Sequence, residues 1–533
     1  MVACMLRART VGHSVRPPSL PTSLRLRRGL LSQNNGKESP PPPPPQDGPR
    51  SSMFIQDQLS YSAVFALGFF KRFAKLSILG IFTLGLTGIA AFEGAHIWVE
   101  NVELATDNDP ETKRWEWDRD AEKWAGGDAG GTDPALGFKG RHAVRAAWMS
   151  ENWGSGSRTG VIKHTDSLSP GRLNIIEARL GYAEEFLTLA LEIAGDVIPT
   201  GKMHPRTLAE LTTRHADVLE RMGTRDAIFD ARSDYENLWF GLSTEGAKNF
   251  RVALKLGDLN FRLGENKDAL EWWTRTINMT QGTQQPEGSA LPAVSQILPS
   301  SPSAQRTLVS TLVSLSGYYS TSHHLKEAQK IQEAALSLLR STPIPSSASP
   351  TTPPHLLHLL YMLHRSSLIS IHLAEVLYAS HSSRESSLSY LSEAAKSAES
   401  VVLGLSGKAA RSSSQGAVNS EIPPHGISLL PAFTKSNVMR RPAKALLRDA
   451  RRTATEAWNL MGILSEGDDV SDMRKALDCY ERAMAWAGVS AATPEGPQGS
   501  GEGMPEAEWR KLWGNYVRAR DAVSEQGRNV RSN

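Results

Sequence analysis

The densest set of residues able to hold a metal or shuttle protons is His355, His358, His364 and His372. His355 and His358 lie three apart, so a helix would put them on one face, as two ligands of one ion require. A closed zinc site needs four ligands. The carboxylate next along the chain is Glu375 and no cysteine is close. The four histidines therefore read as polar positions on a His- and Leu-rich helix, and no metal site is assigned. Glu184–Glu185 and Asp468–Asp469 read as a solvated face and a turn. Gly154 to Gly160 resembles a phosphate loop loosely, but it follows no predicted strand and lacks the Gly-Lys-Ser/Thr ending, so it reads as a flexible turn. The chain holds no HExxH, GxSxG, Walker or kinase pattern. Of its two cysteines, Cys4 lies in a segment expected to be removed, which leaves Cys479 alone, without a disulfide or a thiolate zinc site. No catalytic, metal or cofactor-binding residue is assigned, no cofactor is expected, and the reading is of a non-enzyme.

The positions that do recur are structural. Past Pro170 the apolar residues follow a helical period, and internal repeats appear. Leu256-Gly257 is followed by Ala269 and Trp273; near the C-terminus Trp458, Met461 and Gly462 are followed by Ala476, Tyr480 and Ala483. Small residues let two helices cross closely, and the aromatic fills the space between them. This is the pattern of a tetratricopeptide (TPR) helix pair. Weaker copies lie at Gly317 with Ala328 and Ala335, and at Ala374 with Ser386 and Tyr390. Leu173–Ile198 and Thr207–Met222 read as amphipathic helices without that pattern. Gln281–Ser303, Ser341–Pro354, Ser406–Arg440 and Ser490–Pro505 read as Pro-, Ser- and Gly-rich inserts, with Pro353-Pro354 and Pro442 where helices begin. Glu506 to Ala522 carries Trp509, Leu512, Trp513 and Tyr516 at helical spacing, the stripe of a capping helix. The expected fold is all-α, a TPR-like solenoid with one N-terminal transmembrane helix.

The N-terminus reads as an address. From Met1 to Lys37 there is no acidic residue, while arginines recur among Ser and Leu, the composition of a mitochondrial transit peptide. Pro17, Pro18 and Pro21 break the apolar run that a secretory signal needs. The Pro40–Pro45 tract is a polyproline spacer. Leu76 to Phe92 is apolar and uncharged, enough for about one bilayer core once flanking Phe73 and Ile97 to Val99 are added. Lys71, Arg72 and Lys75 precede it; Glu93, Glu100, Glu103, Asp107, Asp109 and Glu111 follow. Basic flanks stay in the negative compartment, which puts the C-terminal bulk in the intermembrane space. The chain thus divides into a transit peptide (1–37), a proline-rich disordered matrix segment (38–70), the transmembrane helix and flanks (71–99), a tether (100–170), the helical domain (171–524) and a disordered tail (525–533). Six of the thirteen tryptophans fall between residues 98 and 153. They read either as a docking element for membrane or partner, or as rings closing the open end of the helical domain.

Presequence, single span and TPR pairs together resemble the fungal TPR adaptor subunit of the mitochondrial inner-membrane i-AAA protease. The resemblance implies an inner-membrane protein that presents substrates to that protease in protein quality control. A scaffold or assembly factor for a respiratory-chain complex would use the same solenoid, and an outer-membrane import receptor usually lacks a removed presequence. The expected partners are proteins and the inner membrane. The nearly neutral net charge of +3 gives no reason to expect nucleic acid, and no small-molecule substrate is expected. No pattern names the ligand-binding residues.

Overall fold

In the computed structural model the described residues are 51–154, 160–163, 174–243, 249–282, 294–340, 351–407, 428–467, 469–488 and 506–532. The presequence, the polyproline tract, residues 155–159, Asp468 and much of the inserts lie outside them. Contacts divide the chain into two units between Ala95 and His96.

The first unit is a helix. α1 (Ser51–Trp98) begins inside the segment expected to be disordered, and the backbone is helical from Ser51 onward. It contains one stretch long and apolar enough to cross a membrane. Ile81, Phe82 and Leu84 are each about as exposed as a free side chain, Leu84 at 76%. An apolar helix with no protein against it satisfies the hydrophobic effect only in lipid. Lipid offers no hydrogen bonds, and Thr83 and Thr87 accordingly donate to Leu79 O and Thr83 O within the helix, at 2.7 and 2.8 Å.

The second unit is all-α except for one hairpin, β1 (Gly160–Lys163) against β2 (Asn174–Glu177). β2 replaces the first residues of the helix expected from Leu173. The β-branched Ile175-Ile176 pair with Ile162 and Val161 across the hairpin, where a strand suits them better than a helix start. Two short helices, α2 (Pro110–Arg114) and α3 (Trp117–Asp120), precede a series of helix pairs. These are α4 (Gly137–Trp153) with α5 (Ala178–Val197), α6 (Thr207–Met222) with α7 (Arg225–Ser243), and α8 (Phe250–Leu263) with α9 (Asn266–Gln281). Next come α10 (Pro302–Thr321) with α11 (Leu325–Arg340) and α12 (Pro353–Ala379) with α13 (Arg384–Ser406). After the short α14 (Pro431–Thr434), α15 (Asn437–Ser465) pairs with α16 (Val470–Ala487), and α17 (Glu506–Ser532) packs on α16. The paired helices therefore begin at Gly137, inside the expected tether, and α17 runs through the expected tail. Pro442 stands inside α15 rather than at its start. Ser436 is the cap, its hydroxyl accepting from Met439 N, and the proline leaves Val438 O without its helical donor.

Turn chemistry sets the pairing. α8 ends at Gly264 with φ +91°, and α6 at Gly223 with φ +72°, left-handed positions that stop each helix and reverse the chain in a few residues. α17 buries Leu512, Tyr516 and Ala519 and leaves its other side polar, as a terminal repeat must. Cys479 is buried and free, its thiol pushed up to about 11 by burial.

The α12 histidines are not a solvated polar face. His358 and His364 are buried, and His358 bridges Arg306, at 3.1 Å from Nδ1, and Gln305 Oε1, at 3.0 Å from Nε2. His364 Nε2 meets Thr453 Oγ1 at 3.1 Å, and His372 meets Ser316 at 3.0 Å. These are core histidines on separate partners. Among the described residues no group of three or more His, Cys, Asp or Glu is placed to hold a metal. Burial, helped by Arg306 for one and Arg365 for the other, lowers both His358 and His364 from 6.5 to about 3. Both stay neutral in the folded chain while the unfolded chain takes up protons near 6.5. Their contribution is complete above 6.5 and falls as the pH drops toward 3, by about 1.4 kcal/mol per pH unit for each histidine. Melting of the detergent-solubilised protein should therefore weaken steadily below pH 6.5, and His364→Gln should flatten that slope between pH 6.5 and 5.

Candidate functional site: the face shared by the first helices

Two of the helix pairs close on a glycine and an aromatic ring. In α8 and α9, Leu256, Ala269 and Trp273 are fully buried, and a Cβ added at Gly257 would stand 2.5 Å from Trp273 Cδ1 and Nε1. The indole is held along that same edge, Nε1 donating to Asp258 at 3.0 Å. α15 and α16 repeat the arrangement. Ala476, Tyr480 and Ala483 are fully buried, and a Cβ at Gly462 would stand 2.5 Å from the Tyr480 ring, whose hydroxyl donates to Glu466 at 2.6 Å. Trp458 is buried, its Nε1 donating to Glu399 at 2.7 Å. All nine positions selected from the sequence lie in these two helix pairs. The weaker copies fit less well. Gly317 has nothing nearer than His372 Cε1 at 4.0 Å, and in α13 the buried small residue is Ser387, with Ser386 exposed.

With the rings fixed between helices, the first helix of each pair is free to present polar side chains on a common face. The structure lays the tryptophan-rich segment there. Trp117 is only 2% exposed, and its Nε1 donates to Pro354 O at 2.9 Å. Arg306 of α10 stacks over that ring at 4.0 Å, donates to Asp120 Oδ2 at 2.6 Å, and reaches Trp115 O and Glu116 O at 3.1 and 3.0 Å. Asp120 also accepts from Ser303 at 2.7 Å and pairs with Arg251 of α8 at 3.3 Å. Glu116 accepts from Ser301 and from Ser303 N, so it caps α10. Trp115 stacks on His355 at 4.1 Å. Further along, Glu122 pairs with Arg214 of α6 at 3.2 Å and with Arg441 of α15; Glu103 accepts from Arg440 at 2.5 Å; Asp107 accepts from Ser436. Glu103, Asp120 and Glu122 are thus the counter-charges of arginines on α6, α8, α10 and α15.

The other tryptophans behave differently. Trp124 and Trp148 are buried with α4 and α5 in the N-terminal core, Trp148 edge-on to Trp153 at 5.4 Å. Of the two roles expected for these rings, closing an end describes Trp124 and Trp148 only, and Trp115 and Trp117 cover the first-helix face. Within the second unit, Glu100 is held by Thr132 and Arg141. Burial pushes its carboxyl up, but hydrogen bonds from Thr132 and Arg141 outweigh this and hold it below the ordinary value. Beside the segment lie two cavities of about 660 and 670 Å³. One lies against α15 and the loop at Gly126–Gly131, the other against α6, α8 and α10.

Sequence reasoning missed the arginines. A usable signal existed in α10, where Arg306 is the sole charge in twenty residues, too costly to bury unless a carboxylate is supplied from elsewhere.

No protein-family model and no curated protein matches this chain. Among solved structures it is similar to BtubC (BKLC) from P. vanneervenii, at 13% identity over 49% of this chain and 91% of that one, with a TM-score of 0.28. Nothing about function follows from a likeness of that size.

Two outcomes test this geometry. Gly257→Ala and Gly462→Ala should each cost about 1–3 kcal/mol by overpacking against a held ring, whereas Gly317→Ala should be neutral or stabilise by up to about 1 kcal/mol through helix propensity; urea unfolding of the three variants checks the contrast. Arg306→Met leaves Asp120 with only Ser303 and Arg251 and takes the donor from two part-buried carbonyls, and should cost about 3–5 kcal/mol, read from the same titration.

Proposed function

We propose that this protein is a membrane-anchored, protein-binding adaptor of the mitochondrial inner membrane, with its helical domain in the intermembrane space. On this reading it presents substrates to the i-AAA protease. One observation carries the binding role: the first helices α6, α8, α10 and α15 each turn an arginine onto the same extended segment, in a chain that also carries one helix apolar enough to span a membrane. An extended face of this kind takes up stretches of polypeptide rather than a small substrate. Anchoring raises the local concentration of that face near membrane partners, so modest affinity suffices. The mitochondrial address rests on the acid-free, arginine-rich N-terminus, and the orientation on Lys71, Arg72 and Lys75.

The decisive experiment is affinity capture from mildly solubilised mitochondria, together with substrate turnover after the protein is removed. The protease should be a major companion, and its substrates should persist longer while the protease itself remains. Capture of a respiratory complex alone, with normal turnover, would put the scaffold reading in its place. Protease added to mitoplasts should degrade the domain after Glu93, intact mitochondria should protect it, and the mature N-terminus should fall between about residues 25 and 50.

A further inference from the structure

Residues 103–124 lie on the first-helix face as a bound peptide would. Apart from α2 and α3, of five and four residues, the segment has no regular structure, and side chains hold much of it in place. Its carboxylates meet arginines of several helices: Glu122 those of α6 and α15 (Arg214 and Arg441), Asp120 those of α8 and α10 (Arg251 and Arg306), and Glu103 that of α15 (Arg440). Two of its three rings, Trp115 and Trp117, stack on His355 and under Arg306, while the third, Trp124, anchors its end in the N-terminal core. The charges on the face therefore match those of the occupant, and a guanidinium is suited to reading a carboxylate while an aromatic ring lies against it.

The attachment is also uneven. Arg306 is enclosed, but Arg251 and Arg440 keep 45% and 41% of their side chains in solvent, where such pairs add little. Cavities of ligand size flank the segment on both sides, room that a permanently packed core element does not leave. A competitor with the same chemistry has the arginines to bind and space to enter beside the occupant.

We propose that the first-helix face is a receptor for extended, acidic, tryptophan-bearing segments of partner proteins, and that residues 103–124 are its resident occupant, which a partner displaces. This rests on the adaptor reading above and names the class of partner. The face is closed until such a segment arrives, and its opening frees the stretch that joins the domain to the membrane helix.

The probe is a fluorescent synthetic peptide with the sequence of residues 110–124, added to the full-length protein in detergent micelles. The wild type should bind it weakly, because the tethered copy competes at high effective concentration. Asp120→Lys repels Arg251 and Arg306 in cis, and Trp117→Ala removes the anchoring ring. Either variant should bind the peptide at least about tenfold more tightly, since the competent fraction rises. Added salt should weaken that binding, and adding Arg251→Glu to Asp120→Lys should abolish it. Failure of both single variants to melt cooperatively would make the segment an obligatory part of the fold and overturn the proposal, as would cooperative melting with no peptide bound. Partner capture that Arg251→Glu leaves unchanged would overturn this proposal and leave the adaptor reading standing. Peptide binding by the released variants, with no protein captured by the wild type, would sink the adaptor reading alone.

Discussion

A buried guanidinium organises the domain. Arg306 is the one charged residue of α10, and its side chain is 4% exposed. Taking such a group out of water costs several kcal/mol unless a carboxylate and further acceptors surround it. No neighbour in its own helix supplies them. They come from Asp120, Trp115 O and Glu116 O, almost two hundred residues earlier in the chain, with the Trp117 ring beneath. The helix pairs and the segment that leads from the membrane therefore depend on each other for charge neutrality.

That dependence explains why polar residues gather on one side of the pairs. Between the helices of a pair, the contacts are glycine against ring and alanine against helix, with Trp273 and Tyr480 fixed through Asp258 and Glu466. These contacts are close, and a Cβ on either glycine would stand 2.5 Å from a ring. The first helices then carry what the pairs exclude: Arg214, Arg251, Arg306, Arg440 and Arg441, together with the histidines of α12. His358 shows the two systems meeting, since it accepts from the same guanidinium that grips the segment. Such a histidine has to stay neutral, so acid weakens the core and the face together.

The membrane helix follows a separate rule. Its apolar side chains contact no protein core, and its threonine hydroxyls turn back onto their own helix. Composition alone fixes that behaviour. At His96 the requirements change: His96 and Val99 are buried, and Glu100 is held by Thr132 and Arg141. The domain begins there.

Local chemistry was legible in the sequence wherever one element is its own explanation. The apolar run of Leu76 to Phe92 needs only lipid. Gly257 with Trp273 and Gly462 with Tyr480 need only a neighbouring helix a few residues away, because small-plus-aromatic spacing encodes a close crossing within one pair. The stripe on α17 likewise encodes a helix with one buried side. Register was less secure where small residues follow one another, as at Ser386 and Ser387. Pro442 misled as a helix start because Ser436 caps the helix six residues before it, and a proline so near the start removes only one bond. What only the tertiary structure decided is where the tryptophan-rich segment goes. Its carboxylates pair with arginines on α6, α8, α10 and α15, between about 90 and 340 residues away in sequence. No spacing rule links partners at that range, because ion pairing depends on distance in space alone and the stacking of the helix pairs sets that distance.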